Sequence, residues 1–157
     1  MPVSVVSPRG LTGLARPLST LVRAALAAEG RRAGEVAVVL TGDAELRDLN
    51  RRWRGLDRAT DVLSFGYDDG QGEVADGDIV VSLERARAQA RRCRVTEGRE
   101  LARLVVHGAL HLAGLDHQSA AERRRMRARE ERLLRGAGEE IAELDEALDS
   151  RSGRGAG

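Results

Sequence analysis

The chain has 157 residues, 41% hydrophobic and 32% charged but only 2% aromatic, which suits one domain packed mainly with Leu, Val and Ala. No stretch approaches the roughly 20 apolar residues of a membrane span, and MPVSVVSPRG lacks the pattern of a signal peptide, so a cytoplasmic protein without a membrane partner is expected. All 26 basic residues are arginine, and the net charge of +1 hides an acidic tail: before Glu139, 24 arginines face 19 acids, a balance that permits a polyanion partner without requiring one.

Val3 to Val6 reads as a short strand, Leu14 to Glu29 as an amphipathic helix ending near Gly30, and the valine-rich Glu35 to Leu40 as a second strand. Thr41 looks like the N-cap of a helix running to about Trp53, with Asp43 and Glu45 in its first turn and Leu46 and Leu49 on its core face. Asp61 to Phe65 and Asp78 to Ser82 are two more strands, joined across GYDDGQGEVADG by a hairpin or a wider connection. Helices follow over Leu83 to about Arg92 and from Thr96 to Leu112, the second capped by Thr96. Ser119 and Glu122 form a capping box for a helix ending near Gly136. Ile141, Leu144 and Leu148 suggest one weak helix more, and SRSGRGAG reads as disordered. The pattern predicts an α+β domain over residues 1–138, a small mixed sheet of about four strands with about five helices, followed by an acidic, partly disordered tail over 139–157.

All three histidines lie in HGALHLAGLDH, residues 107–117. His107 and His111, four apart on a helix, share one face with Cβ atoms about 6 Å apart, and Gly114 lets the chain turn to bring His117 back as a third nitrogen ligand. Three histidines leave a fourth position open, the pattern of a catalytic rather than a structural zinc site, here at a helix end and the turn after it. Cys93 is either a fourth ligand of a structural site or, more in keeping with a lone cysteine, a small buried apolar residue. Asp116 either orients a ligand imidazole or stabilises the turn. The H-x-x-x-H-x-x-G-x-x-H order is also that of metzincin peptidases, but these need Glu directly after the first histidine as general base, and here that residue is Gly108.

HGALHLAGLDH, NRRWRGLDRATDVLSF from Asn50 to Phe65, and the Gly77 to Ser82 block together resemble the YbeY family of bacterial rRNA maturation factors. The resemblance runs from about Val36 to Leu134. It implies a zinc-dependent, single-strand-specific endoribonuclease acting in small-subunit (16S) rRNA 3′-end maturation and ribosome quality control, with RNA and the small ribosomal subunit as partners. It also implies one zinc on His107, His111 and His117, and a role for Arg54 in activity on RNA. A guanidinium's planar fork suits a phosphodiester, although Arg54 is also placed to pair with Asp57. Ala59 and Gly66 stand where relatives often have proline. Ser64 and Thr60 read as structural, since no histidine outside the cluster is left to activate them. The stretches at 90–94 and 123–129 either line a groove for single-stranded RNA or form solvated helix faces, and Trp53, Phe65 and Tyr67 are the aromatic residues able to stack on bases. The alternatives are a zinc peptidase or other metal-dependent hydrolase, and a non-catalytic ribosome assembly factor.

Overall fold

The computed structural model describes residues 3–56, 60–67, 72–116 and 118–155. In chain order these form β1 (Val3–Val6), α1 (Ala15–Ala28), β2 (Arg32–Thr41), α2 (Asp43–Arg54), β3 (Val62–Gly66), β4 (Val74–Ser82), α3 (Leu83–Cys93), α4 (Glu97–Leu112), α5 (Ala120–Arg135) and α6 (Gly138–Gly155). The sheet order is β1-β2-β4-β3, with β1–β2 and β2–β4 parallel and β3 antiparallel to β4. This is the expected α+β fold with a mixed sheet, and the β3–β4 connection is the hairpin. Both β2 and β4 begin earlier than their apolar runs suggest, because Arg32 and Ala33 pair with Val74 and Ala75.

Alternation sorts the two faces of the sheet. Val36, Val38 and Leu40 of β2 and Ile79 and Val81 of β4 join the main core with α1, α4 and α6. Val39, Leu63, Phe65 and Val80 point the other way, where Leu46 and Leu49 of α2 cover them. The run Ile79, Val80, Val81 is therefore buried throughout, as a strand covered on both faces requires.

Helix starts follow the sequence with one exception. Thr96 accepts from the Arg99 N–H, and Ser119 and Glu122 complete their capping box. Before α2, however, Gly42 rather than Thr41 holds the N-cap position; Thr41 instead bonds Glu45, and the Asp43 N–H donates to Glu84 of α3 at 2.8 Å. The segment after residue 138 packs against the rest of the domain. Apolar residues at 144 and 148 give α6 one buried face, and both leucines enter the main core while Asp145 accepts from the Gly98 N–H at the start of α4. Helix continues to Gly155, where disorder was expected. No helix among the described residues is long and apolar enough to cross a membrane.

Candidate metal centre

α4 is the central helix, touching α1, α3, α5, α6, β3 and β4. From Glu100 to Leu112 every residue is buried except Arg103, His107 and His111, which are half-buried. Residues four apart stack on one face, so these three form the single stripe of this stretch that reaches solvent. Apolar packing on all other sides holds that stripe rigidly. The rings of His107 and His111 meet edge to face, centroids 5.0 Å apart. His117 lies outside the described residues, and among those described no group of three or more His, Cys, Asp and Glu forms a complete metal cage.

Behind His107 stands Glu130 of α5, a buried carboxylate whose Oε2 lies 2.7 Å from the ring Nδ1. A carboxylate accepts, so in the neutral ring this contact favours the tautomer with hydrogen on Nδ1, whose Nε2 carries the lone pair a ligand needs. Arg103 approaches the other Glu130 oxygen at 3.8 Å and pairs more closely with Glu100, at 2.6 Å, whose carboxylate holds the guanidinium above its ordinary pKa. The chain Glu100–Arg103–Glu130–His107 thus orients one imidazole from behind. The sequence offers Asp116 for that part as one of two readings, and Glu130 sits unmarked in it among the charges of α5. Asp116 is exposed beside a small depression with Glu29, Glu122 and Arg125. The donors present, imidazole nitrogens backed by a carboxylate, fit zinc.

Position 108, where a metzincin peptidase carries its glutamate, is closed by packing. A Cβ there would lie 2.6 Å from Ile79 Cγ2 and 3.0 Å from Ser64 Oγ, so position 108 faces the sheet and has no room for a glutamate. The Ser64 hydroxyl donates to the Gly108 carbonyl at 3.0 Å, fastening β3 to α4, in keeping with a structural serine. Gly108→Ala should therefore destabilise the fold by about 1–2 kcal/mol: overpacking against a central strand costs about 1–3 kcal/mol, and better helix propensity returns up to about 1. Urea unfolding measures this, and a variant as stable as the parent would contradict the close approach.

Arg54 is exposed as the last residue of α2, and among the described residues no hydrogen bond or ion pair joins it to His107 or His111; Asp57 lies outside the described residues. Cys93 is exposed at the end of α3, correcting the buried reading, because α3 turns only Leu83, Ala86 and Ala90 inward. Trp53, Phe65 and Tyr67 line a cleft of about 540 Å³ with Glu45 and Asp78 on the α2 side of the sheet. Phe65 and Ser64 are neighbours on β3 and point to opposite faces, so Phe65 turns away from the face on which Ser64 meets α4. The hydrogen bond to Asp78 raises the Tyr67 phenol above its ordinary pKa.

The family model described as Endoribonuclease YbeY matches residues 12–138. The chain belongs to the YbeY endoribonuclease family. Proteins named Endoribonuclease YbeY are 46% identical over 147 residues in Anaeromyxobacter sp. (strain Fw109-5), covering 92% of this chain and 76% of that one, and 43% identical over 145 residues in Pelotomaculum thermopropionicum, covering 85% and 95%. The solution structure of a Thermotoga maritima protein superposes with a TM-score of 0.61 at 29% identity, covering 90% of this chain and 89% of that one.

Proposed function

We propose that this YbeY-family chain is a cytoplasmic, zinc-dependent, single-strand-specific endoribonuclease. It acts in 16S rRNA 3′-end maturation and ribosome quality control on the small subunit, with His107, His111 and His117 holding one zinc ion. The observation that carries this reading is the pair of histidine rings on the one open stripe of a buried helix, with Glu130 on Nδ1 of His107. Zinc in such an open site supplies Lewis acidity and brings the pKa of a water towards about 7.

The chain's own residues do the rest. Glu130 fixes the tautomer and ring orientation of His107, and Arg103 completes the buried charge pattern behind it. Arg54 offers a planar fork that clamps a phosphodiester and stabilises charge on its oxygens. Gly108, facing β4 instead of the stripe, speaks against a peptidase.

Zinc-loaded protein should cut an unstructured RNA and spare the same sequence in a duplex. Arg54→Lys keeps the charge and loses the fork, so kcat/KM should fall about ten- to a hundredfold with the melting temperature unchanged. Intact single-stranded RNA after incubation with the zinc-loaded protein would sink the nuclease reading; full activity in Arg54→Lys would remove only the role of Arg54.

A further inference from the structure

We propose that the groove between α4 and α5 is a subsite for the sugar–phosphate backbone of the RNA beside the scissile bond, with Arg123 and Arg127 as its phosphate-binding residues. The groove, about 370 Å³, is lined by Arg103, His107, Arg123, Met126, Arg127 and Glu130, with Glu131 at its edge. It therefore continues the open stripe of α4: from His111 to Arg103 is eight residues, about 12 Å of helix. A strand lying across the two histidine rings has this groove as its extension.

The charges in the groove are not equivalent. Glu130 is taken up by His107 and Arg103, Arg103 by Glu100, and Glu131 faces Arg99 at 4.0 Å. Arg123 and Arg127 are exposed, and among the described residues neither is in an ion pair; Arg123 spends one N–H on the Gln118 carbonyl. They stand four apart on one helix face, a spacing at which like charges repel and cost the helix a few tenths of a kcal/mol. Arg129 of the same helix is paired with Glu29, and Arg125 lies with Glu29, Asp116 and Glu122 in a separate depression. Within the groove that opens on His107, the positive charge without an ionic partner among the described residues is thus that of Arg123 and Arg127. Met126, buried beneath, provides an apolar floor without hydrogen-bonding groups that would read a base, so the recognition is of backbone phosphate. Of the arginine-rich stretches in the sequence, the one at 123–129 is in this way resolved into two residues with a ligand and several without.

This inference rests on the nuclease reading, and its test separates the two. Steady-state cleavage of a fluorescein-labelled, unstructured oligoribonucleotide is measured over a range of salt with zinc-loaded full-length wild type, the double variant Arg123→Gln/Arg127→Gln, and the control Arg124→Gln/Arg135→Gln, whose arginines are exposed but line no part of the groove. Gln matches Arg in helix propensity, so all three should melt alike. The groove variant should raise KM about ten- to a hundredfold with kcat within about twofold. Its plot of log kcat/KM against log salt should become shallower by about 1.4, the slope of two single-strand phosphate contacts. The control should follow wild type. Unchanged KM and slope in the groove variant, or equal losses in the control, overturn the subsite alone. No cleavage by wild type overturns the nuclease reading and the subsite with it.

Discussion

Changing His111 to alanine is expected to lower cleavage of single-stranded RNA by at least about a thousandfold while leaving the chain folded. A metal's Lewis acidity at the reacting oxygens is worth several kcal/mol, and every 1.4 kcal/mol is a factor of about ten. The core is built mainly from leucine, valine and alanine of the sheet, α1, α4 and α6. With chelator present the parent and the variant should therefore melt within about 2 °C of each other, since a half-buried side chain off the core contributes about 0.5 kcal/mol. A steep fall in melting temperature that chelator reproduces in the parent would instead make the metal structural. His111 is a cleaner probe than His107, whose removal leaves the buried Glu130 carboxylate with Arg103 at 3.8 Å as its remaining ionic partner.

The second large effect belongs to Glu130. A carboxylate on the far nitrogen of a metal-binding histidine orients the ring and raises its basicity, and its loss typically costs ten- to a hundredfold in metal affinity. Glu130→Gln keeps an oxygen able to accept from Nδ1 and should weaken zinc binding by about tenfold. Glu130→Ala removes the acceptor as well and should approach a hundredfold. Zinc affinity read by competition with a chelating dye reports this directly, and excess zinc should restore cleavage in the Gln variant. Zinc affinity unchanged in both variants would reduce Glu130 to a partner of Arg103.

What could be read from the sequence divides along physical lines. His107 and His111 were legible because a four-residue helical spacing puts two rings together whatever the rest of the fold does. The caps Thr96 and Ser119 were legible because each acts within one turn. Glu130 was not, since its partner lies 23 residues away and nothing local marks one glutamate among those of α5. Arg31 was hidden in the same way. It is buried and donates to the carbonyls of Gly72, Val74 and Leu112, holding the end of α4 just past His111, yet in a chain whose every basic residue is arginine its type carries little signal. The early starts of β2 and β4 were missed because backbone pairing there continues past the apolar alternation. Cys93 and Thr41 were misread for a shared reason: residue preference stood in for a neighbour, Glu84 or solvent, that only the packed structure supplies.

The most direct test of the central claim is zinc content measured against RNA cleavage on one preparation: as purified, after exhaustive chelation, and after zinc is returned. The expected result is one zinc per chain, cleavage lost with the metal and restored with it, and neither zinc nor cleavage in a variant lacking His107, His111 and His117. Full cleavage by metal-free protein, or one zinc still bound without the three histidines, would contradict it.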